Sequence, residues 1–480
     1  MDFSKTKSAF FIGIGGIGIS AIARMFVMEG KSVSGSDMAE SEVTLELRKA
    51  GVRIFLEESA QNIPADCDLV IYTIAVLKQG APLSDKGAPC SDHTELVEAK
   101  KRGITVLSYP EALGIISKDK YTIAIVGTHG KTTTTAMVAK ILMDAGLDPT
   151  VIVGSFMLES PFKKGALHSD AGGLSQPPKT APFSKGDTFR RTNFVAGKSK
   201  YLVVEGCEYR RSFLNLSPKI LVVTNIDADH LDYYKDLDDI KSAFAELTTK
   251  LPQDGVLINN FSAIQLPKDF KLRIPGKHNL ENAKAALAVA KVLGIPEEKA
   301  FKSLSEFRGT WRRFEYRGKA GNGALVYDDY GHHPTEIAAT LQGARELFPL
   351  NKGGVRVGED GGCISSIKGG GSGGLSRKIV VVFQPHLYSR TKDHLVGFGT
   401  CFKQADEVIL LPIYPAREID PGDISSEMVV SEIKKNGQSA YFVKTFAEAA
   451  STSAELAGSD GIILTMGAGE TNKVADLLVN

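Results

Sequence analysis

Short apolar runs alternate with longer mixed stretches along almost the whole chain. Ala9–Ile14 reads as a strand, Ile17–Glu29 as a helix and Ser32–Ser36 as a second strand; Val52–Phe55, Leu69–Tyr72 and Thr105–Leu107 read as further short strands. A second series opens with the buried strand Tyr121–Val126 and the helix Ala136–Ala145. It continues with Leu202–Glu205 and Ile220–Asn225, apolar strands that end in polar residues, and with the helix Asn279–Leu293. The third series holds the strands Lys378–Phe383, Glu407–Leu411, Ala440–Val443 and Gly461–Met466 with helices between them. Such alternation predicts parallel sheets and an α/β fold class. At 480 residues the chain is too long for one core. Three domains are expected, over residues 1–118, 119–310 and 311–480.

Two segments fit no core. Residues about 158–193 contain Pro-Pro, Gly-Gly and scattered Ser and Lys, and residues about 351–376 contain Gly369-Gly370-Gly371-Ser372-Gly373-Gly374. Both read as flexible surface insertions without a catalytic residue.

Composition narrows the class. The chain is 43% hydrophobic and 24% charged, with a mean hydropathy of −0.05, as expected for a soluble globular protein. A formal net charge of +1 provides no electrostatic argument for nucleic acid or an anionic membrane. Cys67, Cys90, Cys207, Cys363 and Cys401 are scattered and form no CxxC pair, which argues against a disulfide framework or a cysteine zinc site and fits a reducing compartment. The apolar run Ser8–Ala23 follows Lys5 and Lys7 and mimics a secretory leader, but its glycines fit a strand–turn–helix better. A cytoplasmic protein with no cleaved leader and no membrane insertion is expected, since no stretch is long and apolar enough to span a bilayer.

The densest chemistry lies at Gly127-Thr128-His129-Gly130-Lys131-Thr132-Thr133. Glycines let backbone N–H groups approach phosphate oxygens, Lys131 supplies a mobile positive charge, and Thr132 supplies a hydroxyl for a magnesium ion. A strand precedes the loop and a helix follows it, so the helix N-terminus adds partial positive charge. The spacing is short: two residues separate Gly127 from Gly130, where the common P-loop has four. A ligand-free tight turn is the bland alternative, and agreement of strand, glycines, Gly-Lys-Thr and helix weighs against it.

Gly13-Ile14-Gly15-Gly16-Ile17-Gly18 forms a second glycine-rich turn, and Asp37 ends the next strand, about where a partner for a ribose hydroxyl lies. A dinucleotide site, tight packing and another nucleotide diphosphate all remain open readings. Glu205 ends a strand beside the phosphate loop, where a carboxylate can hold magnesium, and Glu208 is the weaker alternative. Asp227-Ala228-Asp229-His230-Leu231-Asp232 sets acids around a histidine, either as helix caps or with His230 near a second cation. Asn279 opens a helix as a cap or as a nucleotide contact. Tyr327–Glu336 contains Tyr330, His332 and His333, for which substrate contact is the favoured reading over a metal site. Gln384–Thr391 contains Arg390, whose planar fork suits a carboxylate.

The ordered set of these motifs, together with Thr224–His230, Arg312-Arg313-Phe314-Glu315, Asp328–Pro334 and Phe383–Thr391, strongly resembles the Mur ligase family over nearly the whole chain except the two insertions. The short Gly-Thr-His-Gly-Lys-Thr loop is that family's form. The resemblance implies a Rossmann-like N-terminal domain for a UDP-sugar, a central P-loop ATPase with a mostly parallel sheet, and a Rossmann-like C-terminal domain that brings the amino acid. It further implies that ATP and Mg2+ drive the joining of L-alanine to the lactyl carboxylate of UDP-N-acetylmuramate through an acyl phosphate, in a monomer or weak homodimer. Under it Gly13, Gly15, Gly16, Gly18 and Asp37 face the UDP part, which displaces the dinucleotide reading. Gly127, Thr128, His129, Gly130, Lys131, Thr132, Thr133, Asn279 and Arg313 bind ATP, with Thr132 and Glu205 on one magnesium and His230 on the other. Tyr330, His332 and Arg390 form the alanine end, with Lys131, His332 and Arg390 as the catalytic set. This chain departs from the family pattern at Leu387, where a second arginine is expected. It also has Phe244 where sister ligases place a carbamylated lysine, Lys241 lying one turn earlier, and no carbamate is expected.

Overall fold

The computed structural model describes residues 2–76, 93–158, 192–231, 233–348, 355–357, 363–366, 377–416 and 418–479. Met1–Ile264 with Ala285–Ser303 form one compact unit, and Gln265–Lys284 with Leu304–Asn480 form another. The first unit holds two sheets and the second holds one large sheet, so three α/β sheet domains are present.

In the first sheet, β1 (Ser8–Ile12), β2 (Ser32–Ser36), β3 (Arg53–Phe55), β4 (Leu69–Tyr72) and β5 (Thr105–Ser108) run parallel in the order β3-β2-β1-β4-β5. Every residue of β1 is buried, as a strand covered on both faces requires. The strand order reverses beside β1, and the glycine-rich turn follows that strand, at the position where open α/β sheets bind ligands. β1 stops at Ile12, two residues earlier than the apolar run predicts, because Gly13 turns away at φ +75°.

The second sheet contains β6 (Tyr121–Val126), β7 (Thr150–Met157), β8 (Thr192–Val195), β9 (Tyr201–Glu205), β10 (Ile220–Val223) and β11 (Val256–Ile258), in the order β11-β10-β6-β9-β7-β8. All neighbours are parallel except the β7–β8 pair. β6 is therefore flanked by β9 and β10, and the ends of all three strands converge on the phosphate loop. Within this unit the helix Ile17–Met28 packs on β7 and β8. The buried Asn193 on β8 donates to Ile17 O at 2.5 Å and to Ser20 Oγ at 2.9 Å, which ties the edge of the second sheet to the helix of the first glycine turn.

The second unit contains β12 (Glu315–Lys319), β13 (Leu325–Asp329), a short antiparallel pair of β14 (Val355–Val357) and β15 (Cys363–Ser366), and then β16 (Ile379–Phe383), β17 (Glu407–Leu410), β18 (Ala440–Phe442) and β19 (Ile462–Met466). The main sheet has the order β12-β13-β19-β16-β17-β18, parallel apart from the β12–β13 edge hairpin. Val381 and Phe383 of β16 enter one core with Tyr327, Phe348 and Phe398, while Val380 and Val382 enter another with Ile409, Ile463 and Val474. Burial on both faces explains why this strand carries no polar alternation. The β14–β15 pair lies inside the second insertion, where irregular chain was expected; the rest of 351–376, and residues 159–191 of the first insertion, lie outside the described residues. No described helix is long and apolar enough to cross a membrane.

Residues 265–284 group with the second unit instead of the central block. Gly343 explains part of this: a Cβ there would lie 2.9 Å from Gly276 Cα, so the two backbones touch. The helix Lys277–Val292 starts at this contact, and burial pushes the His278 imidazole down to about 4, with Glu336 opposing the shift and Arg313 adding to it. The folded value lies below the unfolded 6.5, so the stability tied to neutral His278 is complete above pH 6.5 and is lost as pH falls towards 4. On the order of 2–3 kcal/mol is at stake. Chemical denaturation at pH 7.5 and 4.5 should show a smaller acid loss for His278→Gln than for the unsubstituted protein; an equal loss would contradict this assignment.

Candidate active site

The helix Lys131–Asp144 begins directly at the lysine, five residues earlier than its apolar run predicts, with Gly130 as its N-cap at φ +78°. Gly127 has φ +139°, and a side chain there would collide with Thr224 Oγ1 and meet Asn225 O at 2.9 Å. The turn after β10 holds the short loop from outside. Thr224 Oγ1 donates to His129 O at 2.6 Å, His129 N donates to Asn225 Oδ1 at 2.8 Å, and Thr128 N donates to Asn225 O at 3.1 Å. This bracing is also why β10 ends at Val223 and Thr224 and Asn225 leave the strand.

Lys131 Nζ donates to Gly127 O at 2.6 Å and Thr128 O at 3.0 Å, and it lies 2.9 and 3.0 Å from the two carboxylate oxygens of Glu208. Burial by itself lowers the ammonium's affinity for its proton, but Glu208, with Cys207 and Glu205, holds it above the ordinary lysine range. Thr132 Oγ1 donates to Glu205 Oε1 at 3.0 Å, and Gly154 N on β7 donates to Glu205 Oε2 at 2.8 Å. His230, at φ +55°, places Nε2 3.6 Å from Glu208 Oε1 and 3.8 Å from Asp229 Oδ2, and its ring lies 4.8 Å from that of Tyr209. Lys131 and Thr132 of the loop, Glu205 and His230, drawn from three motifs, thus converge on one place. Glu208 joins them as the buried partner of both Lys131 and His230, a larger part than the secondary one expected of it. Its spacing of three residues from Glu205 was the available signal.

Gly154 approaches the site through its missing side chain: a Cβ would lie 2.6 Å from Glu205 Oε2 and 2.7 Å from Oε1. Gly154→Ala should push the carboxylate off Thr132. If Thr132 and Glu205 hold magnesium, as the sequence reading expects, turnover should fall about tenfold, the range for losing one hydrogen bond to a charged group, and more magnesium should be needed for half-maximal rate. A magnesium titration of both proteins tests this; an unchanged midpoint would exclude it.

In the first glycine turn, Gly13 N and Ile14 N donate to Ser36 O at 2.8 and 3.0 Å, and Gly15 N donates to Asp37 Oδ2 at 2.7 Å. Asp37 therefore reaches the turn itself. Gly16 caps the helix Ile17–Met28, and Gly18 faces Tyr109, whose ring would lie 2.7 Å from a Cβ at that position. Gly18, Tyr109, Gly154, Glu205, Cys207 and Phe213 help to line a cavity of about 210 Å³ between the two sheets of this unit. Phe244 is buried edge-on against Phe213 at 4.9 Å, while Lys241 pairs with Asp238 at 2.9 Å on the surface.

The second unit gathers Tyr330, His332 and Arg390. The rings of Tyr330 and His332 lie 5.6 Å apart, those of His332 and His386 lie 6.0 Å apart, and Arg390 Nη1 is 3.5 Å from His386 Nδ1. His332 Nδ1 is 3.1 Å from Tyr330 O and 3.6 Å from Glu336 Oε2, which favours a proton on Nδ1 and the lone pair on Nε2. His386, stacked on Tyr414 at 5.7 Å, links the predicted residues; it stood in the quoted motif without a role. Leu387 is buried and strained at φ +69°, with its N–H donating to Tyr414 O at 2.9 Å. Arg313 lies 5.4 Å from the Tyr330 ring and 4.0 Å from Glu336. Asn279 is buried, donates to Pro275 O at 2.6 Å and accepts from Asn282 at 3.3 Å, so its amide secures the helix start.

Three family models match the chain in succession: the Mur ligase family catalytic domain over residues 9–121, the Mur ligase middle domain over 125–264, and the Mur ligase glutamate ligase domain over 312–361 and 364–469. The chain is 34% identical to the UDP-N-acetylmuramate–L-alanine ligase of Clostridium kluyveri, an alignment covering 100% of this chain and 99% of that protein. It is 35% identical to the enzyme of the same description from Acetivibrio thermocellus, over 100% and 97% of the two chains. The solved structure of UDP-N-acetylmuramate-alanine ligase from Thermotoga maritima superimposes with a TM-score of 0.72 at 28% identity and 98% coverage of both chains. The short braced phosphate loop, the three α/β sheets and similarity along the full length lead to one assignment: the chain belongs to the Mur ligase family.

Proposed function

We propose that this protein is an ATP-dependent ligase that joins L-alanine to the lactyl carboxylate of UDP-N-acetylmuramate in peptidoglycan precursor synthesis. The observation that carries the reading is the convergence of Lys131, Thr132, Glu205, Glu208 and His230 at the ends of three adjacent strands. Similarity to alanine-adding ligases over the full length supports the choice of substrates.

A carboxylate repels a triphosphate and is a poor acyl donor. Transfer of the γ-phosphoryl group to a carboxylate oxygen releases ADP and creates a leaving group. The protein's task is alignment and charge neutralisation. Lys131 suits it, since Glu208 keeps the ammonium charged inside the fold. The oxygen donors of Thr132 and Glu205, 3.0 Å apart, fit the hard-ligand preference of magnesium, with His230 assigned to a second ion. Bound magnesium would screen the charges of the two reacting anions. The first glycine turn with Asp37 is assigned to the UDP part, and Arg313 and the Asn279 helix start to ATP. The alanine amine attacks the acyl carbon, its proton passes to His332 Nε2, and phosphate leaves. Arg390 holds the alanine carboxylate. Without an arginine at position 387, about 1.5–3 kcal/mol of charged hydrogen bonding is missing, and KM for alanine should be correspondingly high.

Mass measurement of the product formed from ATP, UDP-N-acetylmuramate and mixed amino acids tests the proposal. A single mass gain for alanine, with phosphate release that needs the sugar nucleotide, supports it. Phosphate release indifferent to both substrates would exclude a ligase.

A further inference from the structure

Arg210 has a buried side chain whose Nη1 meets no partner among the described residues. The residue is 9% exposed, and no described residue forms a hydrogen bond or ion pair with its guanidinium; Nη1 is sealed from solvent without a partner. Its guanidinium lies over the face of Tyr209, 5.8 Å from the ring centroid, and that ring adjoins His230 at 4.8 Å. The next residue gives the contrast. Arg211 pairs with Asp239 at 2.7 Å and with Glu246 at 3.0 Å. Both arginines occupy the left-handed region, at φ 51° and 55°, a conformation unfavourable for side chains of this size. A desolvated cation without a counter-charge is costly, and so is the backbone that carries it. The pairs of Arg211 help to hold the turn, but no described residue supplies a counter-charge to Arg210.

We propose that Arg210 binds the carboxylate that this ligase activates, so that the acid substrate supplies the missing anion. The proposal rests on the ligase reading given above. Position favours the acid over the triphosphate. Arg210 stands two residues after Glu208, in the segment Tyr209–Asn215, which packs on the helix Tyr109–Lys118 of the sugar-nucleotide sheet. Ser212 and Phe213 of that segment line the cavity shared with Gly18 and Glu205. The phosphate loop already has its own cation in Lys131. A planar guanidinium also matches a carboxylate in two-point contact.

The test compares two sugar nucleotides on the full-length protein. UDP-N-acetylglucosamine lacks the lactyl carboxylate of UDP-N-acetylmuramate. Arg210→Gln should weaken binding of UDP-N-acetylmuramate about ten- to a hundredfold, while affinities for UDP-N-acetylglucosamine and ATP stay close to those of the unsubstituted protein. Its Tm should hold or rise, because an unbalanced charge has left the interior, and Arg210→Lys should recover part of the affinity. Arg211→Gln should do the reverse, lowering Tm and sparing acid affinity. Equal weakening of both sugar nucleotides, a loss confined to ATP, or a lowered Tm in Arg210→Gln would overturn the proposal. If the unsubstituted protein binds both sugar nucleotides alike, the ligase reading itself fails, whatever Arg210→Gln does.

Discussion

Lys131→Ala should lower turnover by about 10³-fold or more, the scale for removing a cation from a phosphoryl-transfer site. The loss should appear in the maximal rate, because the ammonium acts on charge that moves during transfer. A second effect follows from the fold. Glu208 is buried, and Lys131 is its nearest cation. Removing one member of a buried pair costs about 3–5 kcal/mol because the other charge is left unbalanced. Lys131→Met combined with Glu208→Gln should therefore recover much of the stability and none of the activity. Thermal melts and single-turnover phosphate release measure the two quantities separately. Activity surviving in Lys131→Ala would refute the phosphate assignment, and a double variant no more stable than Lys131→Ala would refute the pairing. The pair also has a pH signature. The lysine value is raised in the folded state, so its stabilisation is complete below the ordinary 10.5 and is lost only as pH rises through the raised value.

Arg312→Met should destabilise the second unit by about 3–5 kcal/mol. The two adjacent arginines stood together in one motif with only Arg313 assigned to ATP, and the structure gives Arg312 a buried hydrogen-bond network. Arg312 is buried at φ +54°. Its Nε donates to Asp328 Oδ2 at 2.7 Å, Nη1 to Gly469 O at 2.9 Å, and Nη2 to Gly467 O at 2.7 Å and Thr471 Oγ1 at 3.0 Å. These bonds tie the start of β12 to the end of β13 and to the turn after β19. Arg313 has looser surroundings, so Arg313→Ala should keep the melting temperature and raise KM for ATP. Equal melting curves for Arg312→Met and the unsubstituted protein would show that the network carries no stability.

Local chemistry made much of this protein legible in one dimension. Strands covered on both faces must be apolar throughout, so β4, β9 and β16 were found within a residue of their true ends. A loop that cradles phosphate needs glycine, lysine and threonine at adjacent positions, so Gly127–Thr132 announced itself. Boundaries slipped where a turn decided them, as at Gly13 and Thr224. Residues 265–284 were placed with the central block because their association with the other unit depends on the Gly276–Gly343 contact, made across a long separation in sequence.

What the sequence by itself determined was the candidate groups, the three α/β sheets and the family. These follow from neighbours in the chain, whose spacing is fixed by covalent geometry. Tertiary structure decided which acid faces which base. Glu208 became the partner of Lys131 across 77 residues, Gly154 gained its meaning from a carboxylate 51 residues away, and Arg211 found acids in Asp239 and Glu246 where Arg210 met none among the described residues. Charge balance in an interior depends on what folding brings within a few ångströms, and composition carries no record of those distances.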